Sequence, residues 1–208
     1  RRSPSFWQKH IRLDPHQPAV ILMTSGSEGL PKAVALSHHN LLSNIRQTAA
    51  VLNLDYNDKL FNPMPMFHAF GLTLGTLMPL LRGIQVFTYR NPLHIRLIPE
   101  LDYQPHPPLV YSTTTFLTRM APVSKPDDWR SVHSVFCGGE AVETNTFQTY
   151  FESFGVRLLQ GYGTTETSPL VCLNTPQQNR TESVGRFLPG IHYSLKPIEG
   201  LSTGQQLS

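Results

Sequence analysis

The hydrophobic positions of this chain fall into short apolar runs that alternate with longer, helically spaced stripes. "AVILMT" (19–24) is a compact, β-branched run and predicts a buried strand. "AVAL" (33–36) extends the chain beyond the next loop, and Ser37 is placed to cap a helix. Leu41, Leu42, Ile45, Ala49 and Leu52 then recur at helical spacing and predict an amphipathic helix of about four turns. "KLFNPMPMFHAFG" reads as a loop with two prolines, followed by an apolar helix containing Gly71 and Gly75. Strands are predicted at 84–89, 109–112, 132–139 and 156–163, and helices at 93–103, 114–122 and 143–155. Gly155 marks the end of the last of these helices.

Strands separated by helix-length segments are the signature of parallel βαβ units with helices covering a sheet. The predicted fold class is therefore α/β. In such sheets ligands bind beyond the carboxyl ends of the strands. Three of the predicted strands run into loops rich in glycine and hydroxyls, at 24–32, 138–140 and 161–166, and these loops can converge on one crevice.

Composition narrows the picture. The 208 residues are 39% hydrophobic and 15% charged, a globular balance with enough chain for one core and a small second lobe. The formal charge of +3 comes from scattered basic residues, with no Lys/Arg block that would track nucleic-acid phosphates. Cys137 and Cys172 lie far apart without metal-type spacing, which argues against a disulfide framework or a zinc site and makes a reducing, cytoplasmic setting the default. The most apolar stretch, "FGLTLGTLMPLLRG", is shorter than the ~18 apolar residues of a membrane span. Residues 1–18 read as a polar lead-in, 19–190 as the main lobe and 191–208 as the start of a following β segment, and both ends look cut from something longer.

Each loop has a chemical reading and a plain one. "TSGSEGLPK" (24–32) offers backbone N–H groups, hydroxyls and the Lys32 ammonium to a phosphate, or it is a polar hairpin turn. It lacks the spacing of a Walker A loop. Its own carboxylate, Glu28, is unfavourable beside a phosphate, so that side chain is expected to point away. "QGYGTTETSP" (160–169) can project the Tyr162 ring against a purine and offer Thr164, Thr165 and Glu166 to phosphate and Mg²⁺, or it is a strand-to-turn junction with a capping threonine. In "CGGEAV" (137–142) the glycines allow close approach to a flat ligand, while Glu140 is equally readable as the first-turn acid of the next helix. His68, between aromatics, is by itself more readily a packed or surface side chain than a catalytic one.

Together, "TSGSEGLPK", "PMFHAFG", the Gly-Gly-Glu loop, "GYGTTE" and "SVGRFLPG" resemble, in order and spacing, the adenylate-forming (AMP-binding) enzyme superfamily. The Ser-Glu-Gly form of the first loop, with "PMFHAFGLTLG", "NPLHIRLIPEL" and "STTTFL", resembles more narrowly the acyl-acyl-carrier-protein synthetase half of bifunctional 2-acylglycerophosphoethanolamine acyltransferases. The resemblance implies the N-terminal lobe of an acyl-CoA synthetase-like fold, truncated at both ends. It implies ATP and Mg²⁺ as cofactors, a fatty acid as substrate, and acyl carrier protein or CoA as the thiol acceptor. It further implies a link to lysophospholipid reacylation at the cytoplasmic side of a membrane.

On this resemblance Thr24, Ser25, Gly26, Ser27, Gly29 and Lys32 would hold the β- and γ-phosphates. Tyr162 would lie against adenine, with Gly138, Gly139 and Glu140 on the other side, and Gly161, Gly163 and Thr164 would also bind the nucleotide. Thr165 would contact the α-phosphate, Glu166 would hold Mg²⁺, and His68 would sit beside the acyl carboxylate. Residues from Phe70 to Leu77 would either line an acyl tunnel or simply pack the core. Ala33 stands where the family commonly has glycine. The family's ribose-binding aspartate and C-terminal catalytic lysine find no counterpart in these residues, which leaves a non-catalytic nucleotide- or partner-binding lobe as the alternative.

Overall fold

The computed structural model describes residues 14–25, 30–54, 56–88, 109–132 and 134–195. The helix expected at 93–103 lies outside them, as do Gly26, Ser27, Glu28 and Gly29.

Seven strands form the main sheet: β3 (Lys59–Asn62), β4 (Gln85–Thr88), β5 (Leu109–Ser112), β6 (Ser134–Cys137), β7 (Leu158–Gly163), β8 (Leu170–Leu173) and β9 (Arg186–Phe187), in the order β4-β3-β5-β6-β7-β8-β9. The pairs from β4 through β7 are parallel, whereas β7–β8 and β8–β9 are antiparallel. Every residue of β5 and β6 is buried, as expected for strands covered on both faces.

Alternation along the strands divides the core in two. Phe61, Val110, Val135 and Leu158 face one layer, with Leu117 of helix α3 (Thr114–Met120) and Tyr150 of helix α4 (Thr144–Phe154). Leu60, Leu109, Tyr111, Phe136 and Leu159 face the other, with Ile45 of helix α1 (His38–Val51). In the first layer Trp129 meets Tyr150 edge-on at 4.9 Å between centroids, and the Tyr150 hydroxyl donates to the Leu117 carbonyl at 2.9 Å. Such aromatic pairs add about 0.5–1.5 kcal/mol beyond their buried area.

Helix α1 begins where the sequence predicts. The Asn40 N–H donates to Ser37 Oγ at 3.1 Å and the Ser37 N–H donates to Asn40 Oδ1 at 2.9 Å, a reciprocal cap. Its buried face carries Leu41, Asn44, Ile45 and Thr48, while Leu42, expected in the apolar stripe, is exposed. Asn44 replaces it as an anchor: its amide donates to the Leu170 carbonyl at 2.7 Å and accepts from the Leu170 N–H at 3.1 Å.

Two expectations need correction. The run 19–24 is not a buried strand. It lies in β1 (Pro18–Ser25), which pairs antiparallel with β2 (Pro31–Ser37) in a separate two-stranded sheet. Leu22 is buried against Leu36, Leu41 and Ala69, but Ile21 and Met23 remain 63% and 62% exposed because no described layer covers that face. Second, the segment read as a loop before His68 begins with strand β3, whose four residues are too few to show periodicity and are fixed by pairing on both sides. The α/β fold with parallel βαβ units is as expected, and β8 and β9 extend the parallel set on one side as antiparallel strands. The helix expected after His68 is present, but as a π-helical segment (Phe70–Leu77) continued by helix α2 (Met78–Arg82).

Candidate active site

At the carboxyl ends of β5, β6 and β7 a crevice of about 190 Å³ opens. His68, Gly138, Gly139, Gly161, Tyr162, Gly163, Thr164 and Thr165 line it, so residues from three of the predicted motifs meet in one place. Its apolar walls come from Leu52, Phe70, Leu74, Tyr111, Phe136 and Leu173. Phe70 and Leu74 thus serve the crevice wall, whereas Gly71, Thr73 and Gly75 of the same segment are buried in packing.

The backbone of the 161–169 segment is tightly built. A Cβ on Gly163 would overlap the Pro169 carbonyl, so only glycine fits there. The Thr164 N–H donates to the Pro169 carbonyl at 3.0 Å and to Thr167 Oγ1 at 3.0 Å. These bonds shape a single 3₁₀ turn (Thr165–Thr167) that presents Thr165 to the crevice. Tyr162 is 52% exposed, leaving an aromatic face open to a planar ligand.

His68 stands at the crevice rim just before the π-helical segment. Its Nδ1 accepts from the Phe70 N–H at 3.4 Å, which leaves the proton of the neutral ring on Nε2 as a donor. The ring is exposed overall, yet desolvation of its covered part lowers its pKa. Cys137 also borders the crevice, but burial pushes its thiol pKa up to about 12, so it stays protonated and is no nucleophile at neutral pH.

Other predicted residues lie apart from the crevice. Thr24 and Lys32 face each other in the β1–β2 register, beside Ser25 and Pro31, and none of them lines the crevice. Strand β2 does pack against the Thr165–Thr167 turn, which puts the hairpin next to the site. Glu140 accepts from the Thr115 N–H at 3.2 Å and from Thr115 Oγ1 at 2.7 Å. It therefore braces the first turn of α3, four residues before α4 begins, and is not the first-turn acid of the following helix. Glu166 is exposed beside Thr165, and no group of three His, Cys, Asp or Glu side chains that could hold a metal occurs among the described residues.

Sequence reasoning missed Thr48, Tyr111 and Asn44. Thr48 sits at helical spacing from Leu41, Ile45 and Leu52, so a hydroxyl within an apolar stripe was the available signal. Asn44 could have been flagged the same way.

The profile of a family described as AMP-binding enzyme matches residues 2–204. The chain is 31% identical over 204 residues to probable 4-coumarate–CoA ligase 3 of Dictyostelium discoideum, covering 95% of the chain and 36% of that protein. It is 32% identical over 192 residues to medium-chain fatty-acid–CoA ligase of Escherichia coli, covering 87% of the chain and 31% of that protein. Among solved structures, ATP-bound MatB from Rhodopseudomonas palustris superposes with a TM-score of 0.78 at 26% identity, covering 86% of the chain and 36% of that structure. The chain spans about a third of the length of these relatives.

Proposed function

The chain belongs to the AMP-binding enzyme family, and from that premise we propose that it forms the acid- and nucleotide-binding lobe of a ligase that activates a fatty acid with ATP. The observation that carries the reading is the crevice itself. Its mouth joins the Gly138–Gly139 backbone, the open Tyr162 face and Thr165, and its walls are apolar. That combination suits an adenylate with a hydrophobic acyl group.

In this reading the fatty acid carboxylate oxygen bonds to the α-phosphorus of ATP, the bond to the β-phosphate bridge breaks, and pyrophosphate leaves. A thiol then attacks the acyl carbon and AMP departs with the electrons of the broken C–O bond. Tyr162 and Gly161 flank one side of adenine, with Gly138 and Gly139 opposite. Thr165 donates to the α-phosphate. His68, kept neutral by partial burial, offers its Nε2–H to the acyl carboxylate without placing a second cation there. Thr24, Ser25 and Lys32, with Gly26, Ser27 and Gly29 of the intervening loop, hold the outer phosphates.

A single exposed carboxylate, Glu166, fits an Mg²⁺ that takes its remaining ligands from phosphate oxygens and water. When bound, that ion would neutralise charge building on the phosphates.

The finer reading is that the thiol belongs to acyl carrier protein or CoA. The acyl product then feeds lysophospholipid reacylation at a membrane surface, as in the bifunctional acyltransferases whose motif forms the chain resembles. No helix among the described residues is long and apolar enough to cross a membrane. The test uses the full-length parent with ATP, Mg²⁺, labelled pyrophosphate and a long-chain fatty acid. Acid-dependent exchange of label into ATP is expected, and its absence with every acid tried would overturn the proposal. Acceptor assays with holo-carrier protein and with CoA then decide the thiol.

A further inference from the structure

The turn that brings Thr165 to the crevice is held by a side chain that does not line it. Thr167 Oγ1 accepts from the Thr164 N–H at 3.0 Å and lies 3.3 Å from Thr164 Oγ1. Its own O–H is within reach of two carbonyls, that of Thr164 at 2.9 Å and that of Pro169. One hydroxyl thus ties the two ends of the Thr164–Pro169 segment together, with Thr165 and Glu166 between them. Thr167 is exposed, so packing does not account for the arrangement. The turn is also closed against a backbone cost. Ser168 lies in the left-handed region at φ 73°, where a residue with a side chain persists only if its surroundings hold it.

We propose that Thr167 is a positioning residue. Its hydroxyl holds the Thr165–Thr167 turn so that Thr165 stays at the α-phosphate of the nucleotide, while Thr167 itself touches neither nucleotide nor acid. This deepens the acid-activating reading and rests on it. The fold does not need the hydroxyl. Without it the Thr164 N–H keeps the Pro169 carbonyl at 3.0 Å, and the β7–β8 pairing from which the turn projects does not involve Thr167. What the turn loses is its second tie, and Thr165 becomes free to leave the crevice.

The experiment is a double-variant cycle on the full-length protein, read by calorimetry with AMP and by acid-dependent pyrophosphate exchange. Thr167→Val keeps the shape of the side chain and removes the hydroxyl, whereas Thr167→Ser keeps the hydroxyl. Thr167→Val is expected to weaken AMP by about three- to tenfold and to lower kcat for exchange by a similar factor, with KM for the acid within about twofold of wild type. Thr167→Ser should stay within about twofold of wild type on each reading. The cycle with Thr165→Ala carries the most weight. If Thr167 acts through Thr165, the double variant binds AMP no more weakly than Thr165→Ala alone. Losses that multiply would overturn the inference, as would equal losses in Thr167→Ser and Thr167→Val. A lowered urea midpoint with unchanged AMP affinity would overturn it too, because the role would then be purely structural. Absence of exchange with every acid in the wild type would overturn the acid-activating reading and leave the AMP cycle to decide the inference, whereas a wild type that does not bind AMP would overturn both.

Discussion

The β1–β2 hairpin and the β5–β6–β7 core begin from the same sequence pattern, an apolar run that ends in a glycine-rich loop, and end in opposite environments. In the core, both faces of each strand are covered by helices, and Val110, Val135 and Leu159 are almost wholly buried. In the hairpin only Leu22 and Leu36 are sealed, by α1 and Ala69, and the face carrying Ile21 and Met23 is open. What differs is the layer outside the strand, not the strand. The consequence for the site is that the crevice has fixed walls, while the loop expected to hold the outer phosphates hangs from a two-stranded sheet, a unit with little independent stability.

The sharpest way to test this contrast is to truncate one side chain in each region. Leu159→Ala should lower the stability of the chain by about 2–5 kcal/mol in urea unfolding, the usual cost of a buried leucine cavity. Ile21→Ala should change it by less than about 0.5 kcal/mol. A loss above about 2 kcal/mol at Ile21 would mean that something covers the open face of the hairpin, and the comparison would fail.

Next in size is Asn44→Ala. It removes both bonds to the Leu170 backbone and leaves a buried N–H and carbonyl unmet. A loss of about 1–3 kcal/mol is expected. Because Leu170 follows the 161–169 segment directly, affinity for an acyl-adenylate analogue in calorimetry should fall as well. Undiminished affinity in a destabilised variant would show that the segment holds its shape without α1.

How far the sequence spoke follows from the same contrast. The strands at 109–112, 134–137 and 158–163 were legible because burial on both faces writes a continuous apolar run, and α1 was legible because its cap is local, held within Ser37 and Asn40. Burial of β1 was not legible, since it depends on a layer that its own residues do not encode. β3 and β9 are too short for periodicity, and pairing partners far along the chain define them. At the site, glycines and hydroxyls in loops announced themselves. Thr48 and Tyr111 did not, because the crevice wall they belong to exists only once α1 packs against the sheet.

The hairpin and the crevice can also be separated through the nucleotide. Thr165 lines the crevice on a bonded turn, whereas Lys32 is exposed on β2 outside it. Thr165→Ala should weaken binding of an acyl-adenylate analogue by about tenfold, the loss of one hydrogen bond to a charged group. Lys32→Ala should weaken ATP by a similar or smaller factor that shrinks with added salt, and should leave the analogue, which has no outer phosphates, nearly unaffected. Equal losses on both ligands for Lys32→Ala would place that lysine functionally inside the crevice.

The smallest expected effect concerns His68. Partial desolvation lowers its pKa in the folded chain below its ordinary value of 6.5, so the unfolded chain binds the proton more readily. The stability contributed by keeping the ring neutral is therefore fully present above pH 6.5 and is lost as pH falls through the lower, folded value. The wild-type urea midpoint should fall relative to that of His68→Gln as pH drops through that window, because the glutamine has no proton to gain. Nucleotide and acid binding should follow the same sign: if Nε2–H of the neutral ring meets the acyl carboxylate, binding of the acid should persist below pH 6.5. An acid limb lying above 6.5 would mean that the group controlling binding is not a desolvated imidazole.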